Sequence, residues 1–241
     1  MSTTDTNPVD SVETSQQTNH SLTPKRASSL AMIITLGSVA MISGLLVVIT
    51  WQLTLNPIRE NQRIMIEKAI FQVIPGARSR QSYTITDKGL EKDLQKKGLQ
   101  FYAVYNDQGQ LLGVAAEAAA QGYADLVRLL YGYDHKCECI RGFSIIKMAE
   151  TPGLGDKILT DNHFLANFDA LDAQLNYDQS ALKQAIVTVK HGSKNNPWEI
   201  DAISGATITS KAVGKAINQG AQKLLPRLQA VLPQLETKGE N

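Results

Sequence analysis

The stretch DAISGATITSK, from Asp201 to Lys211, places small and hydroxyl-bearing side chains directly before an amphipathic run. Serine and threonine are favoured helix caps, and Gly205 permits backbone conformations that other residues avoid. The pattern therefore predicts a loop that leads into a helix, and Pro226 is predicted to kink or end that helix. Its apolar positions fall on one face: Val213, Ile217, Ala221, Leu224 and Leu228. Free N–H groups and the dipole at its amino terminus would suit a phosphate.

A second loop, ETPGLGDK from Glu150 to Lys157, lies about fifty residues upstream. Its proline and glycines cannot continue a sheet ladder, so it is predicted to end a strand. Turn chemistry alone leaves two interpretations open. The segment is either a plain strand-ending turn or a loop whose exposed backbone lets a flat group approach closely.

The sequence between the anchor region and the first of these loops is typical of antiparallel hairpins. Runs on either side of residues 106–109 carry a hairpin signal, and a second pair of runs turns near residues 134–136. Further on, NHFLANFDAL and SALKQA are candidates for short helices, and AIVTVKHG is β-branched and strand-like. Hairpins followed by helices predict an α+β domain of antiparallel sheet with flanking helices.

The amino-terminal part contains one long apolar segment. No charged residue occurs from Ala27 to Ile58, and residues 30–51 supply about 22 mostly apolar positions, enough for a helix to cross a bilayer. A cleaved signal peptide is the alternative, but its apolar core would be shorter, so an uncleaved anchor is favoured. The basic residues on the two sides do not decide the orientation.

These features divide the chain into five predicted parts. They are a disordered polar leader at 1–26, a transmembrane anchor at 27–55, a juxtamembrane helix and connection at 56–98, the globular domain at 99–226, and a C-terminal tail or helix at 227–241. The juxtamembrane helix is predicted to end at Pro75-Gly76.

Charge and cysteine content limit the function. The 24 basic and 23 acidic residues give a formal net charge of +1 without a basic stripe, so nucleic-acid binding is not expected. The four histidines lie far apart and in no metal motif, so no metal is expected either. Cys137 and Cys139 are most simply two strand residues on one face. A short-loop disulfide, a bond elsewhere or free thiols remain alternatives.

Together, ETPGLGDK and DAISGATITS behind one membrane anchor resemble the RnfG/NqrC family of FMN-binding subunits, over roughly residues 27–225. The residues that match the family's flavinylation motif, D-x-x-[S/T]-G-A-T, are Asp201, Ser204, Gly205, Ala206 and Thr207. The resemblance implies that Thr207 carries FMN through a phosphoester bond. In that family, a separate flavin transferase makes this bond with the FMN moiety of FAD. An unassisted threonine hydroxyl is a weak nucleophile, so an external enzyme is physically reasonable.

The resemblance also implies a set of FMN-binding residues around Thr207 in the 99–226 domain, and none of them is expected to be catalytic. The set comprises Ser204, Gly205, Ala206, Thr209, Glu150, Thr151, Gly153, Leu154 and Lys157.

Each group in this set has an implied role. The residues of the first loop line the isoalloxazine ring, with Tyr123 nearby. Gly205 and Ala206 leave room at the attachment point, and the hydroxyls of Ser204 and Thr209 hydrogen-bond phosphate oxygens. The Lys157 ammonium pairs with the phosphate or a flavin carbonyl, or is simply a solvated surface group.

The implied function is electron relay in a membrane-bound, ion-translocating ferredoxin:NAD oxidoreductase, the Rnf complex. Its partners would be the other Rnf subunits, the flavin transferase and the membrane. The resemblance places a single-pass protein in the bacterial inner membrane, with a cytoplasmic amino terminus and a periplasmic FMN domain. The short connection between anchor and domain favours the Rnf branch over an NqrC-type subunit of a sodium-translocating NADH:quinone reductase.

Two other classes of function compete with this one. A membrane-anchored assembly or binding module could hold some other phosphate compound without redox chemistry. A periplasmic hydrolase could use Ser210 with Lys211, or Ser204, although the sequence offers no partner base at a known spacing.

Overall fold

The computed structural model of the protein describes residues 28–92 and 97–236. The predicted polar leader at 1–26 lies outside the described residues. The chain separates into two compact units, divided between Thr54 and Leu55.

The first helix, α1, covers Ser29–Val73. Among the described residues it is the one helix that is long and apolar enough to cross a membrane. It ends two residues before Pro75, as the predicted stop at Pro75-Gly76 requires, because the residue before a proline avoids the helical conformation. Its apolar stretch fits the predicted anchor.

Seven strands form one antiparallel sheet in the order β2-β1-β3-β4-β5-β6-β7. Their bounds are Ser79–Thr86 for β1, Gly89–Glu91 for β2, Leu99–Tyr105 for β3, Leu111–Gln121 for β4, Leu126–Asp134 for β5, Cys139–Lys147 for β6 and Leu171–Asp172 for β7. Both predicted hairpins are present, as β3-β4 and β5-β6. The predicted α+β class, with an apolar amino-terminal helix before an antiparallel sheet, is confirmed.

The remaining elements connect the sheet to a long final helix. They are a 3₁₀ helix at Gly155–Leu159, α2 at Asn162–Ala166, β8 at Val187–Val189, β9 at Glu199–Asp201 and α3 at Thr207–Glu236. β8 and β9 pair in parallel as a separate two-stranded sheet. The segment AIVTVKHG therefore contains the predicted strand, and NHFLANFDAL contains the predicted helix.

Three predictions differ from the structure. The stretch 56–98, expected to be helix and connection only, contributes β1 and β2, so the sheet begins before residue 99. SALKQA does not form a helix, because Leu182 bridges Leu175 in an extended conformation instead. Of the two outcomes predicted at Pro226, a kink or the end of the helix, the end is wrong, because α3 continues to Glu236.

Both faces of the large sheet are covered. On one face, Val213, Ile217 and Ala221 of α3 pack against Leu129 and Tyr131 in the main core. Each large apolar side chain buried in this way stabilises the fold by about 1.5–3 kcal/mol.

On the other face, the last turns of α1 bury Ile70 and Val73 against Tyr102 and Leu130. The sheet is thereby fixed from both sides, which holds the ends of β4, β5 and α3 in place.

A disulfide joins Cys137 in the β5–β6 turn to Cys139, the first residue of β6, with their Cα atoms 5.2 Å apart. Only Cys139 belongs to a strand, so the interpretation of both as strand residues is wrong and the short-loop disulfide is the alternative that the structure contains. The residue between them, Glu138, takes a positive φ of 53°.

Candidate functional site

Within the stretch Asp201–Lys211, residues 203–206 form a tight turn that leads from β9 into α3. The Ala206 amide donates a hydrogen bond to the Ile203 carbonyl at 3.1 Å, which closes the turn. Gly205 lies inside this turn with a φ of +82°, a conformation that side chains disfavour. A Cβ at Gly205 would meet nothing within 4 Å. Glycine is therefore favoured here by the positive φ and not by a lack of space, and the turn faces open space.

Ser210 holds this turn against the first turn of the helix. Its buried Oγ accepts a hydrogen bond from the Ile203 amide at 3.1 Å and donates one to the Ala206 carbonyl at 2.9 Å. The Ser210 amide also donates to the Ala206 carbonyl at 2.9 Å. These three bonds fix the position at which α3 begins.

Thr207 is the first residue of α3 and is half-buried. Its Oγ1 donates to the Ile203 carbonyl at 3.4 Å, a long and weak contact. The amides of residues 207–209 precede the first intrahelical hydrogen bond, so they and the helix dipole present positive charge beside the Thr207 hydroxyl.

Glu150 joins the start of α3 to the turn between β4 and β5. Its Oε2 accepts a hydrogen bond from the Thr209 hydroxyl at 2.5 Å, and its Oε1 accepts from the amides of Tyr123 and Ala124 at 3.0 and 3.2 Å. The side chain is buried, with only 8% of the residue exposed. Three donors therefore satisfy a carboxylate that would otherwise be costly to bury.

An open cleft of about 510 Å³ lies between these elements. Its volume falls in the range of roughly 300–1,000 Å³ that is typical of small-molecule sites. Three of its apolar residues are exposed: Tyr123 to 70%, Leu154 to 49% and Ile208 to 52%. Exposed apolar side chains around one cleft, next to a helix amino terminus, suit a ligand with a flat aromatic part and a phosphate.

Most of the predicted FMN-binding residues line this cleft. They are Glu150, Thr151, Leu154, Gly205, Ala206, Thr207 and Thr209. The hydroxyl of Thr209, expected to bond a phosphate oxygen, instead donates to Glu150 and is buried. The isoalloxazine ring and the phosphate of FMN therefore fit the lining in chemical type.

Three predicted residues lie outside the cleft lining. Gly153 is exposed in the turn that the Leu154 amide closes on the Thr151 carbonyl. Ser204 and Lys157 line a neighbouring cavity of about 260 Å³, together with His163, His191 and Asp201. Ser204 and Gly205 are adjacent in a turn, so the chain passes between the two cavities at this point.

Two lining residues were not predicted, Gly155 and Ile208. Ile208 lies on the side of α3 opposite to its apolar face. An isoleucine on the polar side of an amphipathic helix is the sequence signal that could have identified it as a ligand contact. Gly155 packs directly on Glu150, where a Cβ would come within 2.6 Å of the Glu150 Cβ.

Asp201 has a structural role in the motif. Its Oδ1 accepts a hydrogen bond from the Gly192 amide at 2.7 Å, and its own amide donates to the buried Asn167 side chain at 3.0 Å. The Asn167 amide group also donates to the Phe164 carbonyl at 2.9 Å. These contacts attach the start of the motif to α2 and to the loop after β8.

Neither serine considered as a hydrolase nucleophile has a side-chain base hydrogen-bonded to it in the described part of the chain. Ser210 is fully buried and uses its hydroxyl for the turn, so it cannot serve as a nucleophile. Ser204 is exposed, and within residues 28–92 and 97–236 no side chain forms a hydrogen bond with its hydroxyl. No group of three or more His, Cys, Asp or Glu residues in this described part could hold a metal ion.

Comparison with known proteins places the cleft inside a matched region. Residues 122–222 match the family model of the FMN-binding domain. The G subunit of the Na⁺-translocating ferredoxin:NAD⁺ oxidoreductase complex from Acetobacterium woodii is 30% identical, over 67% of this chain and 70% of that protein. The G subunit of the ion-translocating oxidoreductase complex from Haemophilus influenzae, strain PittEE, is 35% identical, over 62% of this chain and 67% of that protein.

A solved structure has a similar fold. The crystal structure of NqrC from Shewanella oneidensis superimposes with a TM-score of 0.51 at 20% identity, covering 73% of this chain and 88% of that one. At this identity the likeness shows the fold alone.

Proposed function

Because this chain belongs to the RnfG family, the G subunits of ion-translocating oxidoreductase complexes, we propose that it relays electrons through an FMN joined to Thr207 by a phosphoester bond. The family predicted from the two sequence motifs is confirmed. The proposal extends to the reaction of the complex, electron transfer between ferredoxin and NAD⁺ coupled to ion transport, which is the activity named for the Acetobacterium woodii relative.

One observation supports the attachment point above all others. The Thr207 hydroxyl stands at the amino terminus of a 30-residue helix and lines the cleft with the exposed apolar side chains. A phosphate esterified to this oxygen would meet the free amides and the positive end of the helix dipole. The ring system would then lie among Tyr123, Leu154 and Ile208, where burial of apolar surface stabilises it.

The attachment step needs help from outside the chain. The Thr207 oxygen forms a bond to the FMN-side phosphorus of FAD, the pyrophosphate bond breaks, AMP leaves, and the hydroxyl proton passes to a base. The Thr207 hydroxyl donates to a backbone carbonyl, and no carboxylate or imidazole in the described part of the chain hydrogen-bonds it. A separate flavin transferase would supply the base.

Once attached, FMN supplies the electron chemistry, and the residues of this chain hold it and shape its surroundings. Leu154, Tyr123 and Ile208 exclude water from the ring, and the α3 amides stabilise the phosphate. A covalent link also fixes the local concentration of FMN, because dissociation into the surrounding volume no longer occurs.

The partners and location follow from the same proposal. α1 and the names of the relatives, which are parts of larger complexes, fit a single-pass membrane protein that works with other subunits. We infer a bacterial inner-membrane protein with its amino terminus in the cytoplasm and its FMN domain in the periplasm, assembled with the other Rnf subunits. An NqrC-type role gains no support from the solved structure, since that likeness concerns the fold.

The decisive experiment is co-expression with a flavin transferase, followed by denaturing electrophoresis and intact-mass measurement. The wild-type band is expected to fluoresce, and its mass to rise by one FMN less one water. Thr207→Ala is expected to lose both signals completely while the domain stays folded, because Thr207 is half-buried and forms only one weak side-chain hydrogen bond.

The matched control is Thr160→Ala, which removes an exposed threonine hydroxyl outside the cleft and is expected to keep full fluorescence. A fluorescent Thr207→Ala band would move the attachment to another residue. A dark wild-type band of unmodified mass would instead favour the assembly or binding module.

A further inference from the structure

The carboxylate of Glu150 is held in one place inside the wall of the cleft. Three neutral donors reach it, the amides of Tyr123 and Ala124 and the hydroxyl of Thr209. Gly122 and Gly155 pack directly against it, and a Cβ at either position would overlap the side chain. The group is therefore fixed in position and cannot turn away from the cleft.

This carboxylate carries the only formal charge among the described residues that line the cleft. In the described part of the chain it forms no ion pair within 4.0 Å. Lys157, which could have opposed it, lines the neighbouring cavity. The donors on Glu150 are neutral, so they stabilise its charge without cancelling it.

A fixed negative charge at this position acts on whatever occupies the cleft. Reduction adds negative charge to a flavin ring, and Coulomb repulsion from a carboxylate a few ångströms away opposes that change, more strongly where water is partly excluded. The same charge has little influence on the uncharged oxidised ring. Its effect is therefore on the redox equilibrium rather than on binding.

Resting on the proposed function, we propose that Glu150 sets the redox potential of the FMN in the cleft, lowering it through its fixed charge. The flavin becomes a stronger electron donor than the same ring beside a neutral side chain. Glu150 also positions the cleft by joining the β4–β5 turn to α3, so the test must separate charge from architecture.

Glu150→Gln makes that separation. Glutamine has the same shape, its carbonyl oxygen accepts from the amides of Tyr123 and Ala124, and its NH₂ group donates to the Thr209 oxygen. The matched control is Glu117→Gln on β4, which removes a carboxylate paired with Arg128 at 3.1 Å, outside the cleft. Both variants change the net charge of the chain equally.

The measurement is the midpoint potential of the flavinylated full-length protein in detergent, by dithionite titration with mediator dyes and absorbance detection. Glu150→Gln is expected to favour the reduced flavin on the order of tenfold, which is 59 mV for a one-electron step. Glu117→Gln is expected to titrate as the wild type does. Equal midpoints in the two variants, or a negative shift in Glu150→Gln, overturn the inference.

Thr209→Val gives a second and opposite test, which also decides the matter if Glu150→Gln does not fold. Valine keeps the shape but removes the hydroxyl donor, so the carboxylate is less compensated and the midpoint is expected to fall. A midpoint that is unchanged or higher overturns the inference. A wild-type chain that holds no FMN overturns the proposed function and this inference with it, whereas normal flavinylation with unshifted variants overturns the inference alone.

Discussion

At the scale of single residues, buried polar side chains determine where the attachment threonine lies. Ser210 satisfies one donor and one acceptor of the turn that precedes Thr207, and it is completely enclosed. A buried backbone amide without a partner costs about 1–3 kcal/mol, so the Ser210 hydroxyl makes a substantial contribution to the stability of this turn.

Ser210→Ala is therefore expected to lower the free energy of unfolding by about 1–3 kcal/mol, because the Ile203 amide loses its acceptor. The turn loses a restraint as well, so the extent of flavinylation is expected to fall. Urea denaturation and in-gel fluorescence measure the two effects. Ser204→Ala, the same chemical change in an exposed residue of the turn, serves as the control for stability and is expected to leave the unfolding free energy within about 0.5 kcal/mol.

The motif letters predicted which residues gather near Thr207 better than they predicted what each one does. Thr209 was expected to contact phosphate and instead bonds Glu150, because the direction of a side chain depends on the helix register and not on its place in the motif. Ser204 and Lys157 line the other cavity for a similar reason. The Thr209–Glu150 hydrogen bond and the position of Ser204 and Lys157 in the second cavity both depend on the path of the chain in three dimensions, which the motif letters do not give.

At the scale of elements, α3 packs closely on β8 because position 214 has no side chain. A Cβ on Gly214 would overlap the Thr188 hydroxyl and approach the Ile200 Cδ1 to 3.1 Å. Gly→Ala on an open helix surface stabilises a helix by up to about 1 kcal/mol, but here the clash reverses the sign.

Gly214→Ala is expected to destabilise the domain by about 1–3 kcal/mol, the usual cost of overpacking. The adjacent Lys215→Ala, on the exposed side of α3, is expected to change stability by less than about 0.5 kcal/mol. Chemical denaturation of both variants tests the contrast. Equal free energies of unfolding for the two variants would mean that α3 can move away from β8 without destabilising the domain.

Turn signals between strand-like runs predicted the two central hairpins, whereas the outer elements needed tertiary context. β1, SRQSYTIT, is largely polar, so its pattern resembled a connection until pairing with β3 supplied its partners. α3 passes through Pro226 because Leu224, Leu225 and Leu228 are buried around it, and this packing offsets the lost backbone hydrogen bond. Helix propensity alone does not show that tertiary packing offsets the cost of a proline inside a helix.

At the scale of the whole domain, the far end of α3 is attached to the β5–β6 turn through His135. Its Nε2 lies 3.4 Å from the Glu236 carboxylate, and its buried Nδ1 has no hydrogen-bond partner among the described residues. Burial lowers the pKa of His135 below its ordinary value of 6.5, against the opposing effects of Glu236 and Asp134. This contact joins residues so distant in sequence that no local pattern could predict it.

Stability is therefore expected to depend on pH below neutrality. The neutral imidazole is favoured in the folded state, so the stabilisation that it contributes is complete above the unfolded pKa of about 6.5. As the pH falls from about 6.5 through the lower folded pKa, this stabilisation is lost, and the free energy of unfolding falls by at most about 1.4 kcal/mol per pH unit. Urea titrations between pH 7.5 and 5 measure this slope. His135→Gln is expected to reduce it, while His163→Gln, an exposed histidine, is expected to leave it unchanged.

The two outermost strands of the large sheet are very short, three residues in β2 and two in β7. β7 pairs with only Cys139 and Ile140 of β6, so among the described residues the rest of β6, up to Lys147, has no strand partner on its outer side. Unpaired backbone along a sheet margin accepts strands from other chains, so this part of β6 is where another subunit can extend the sheet.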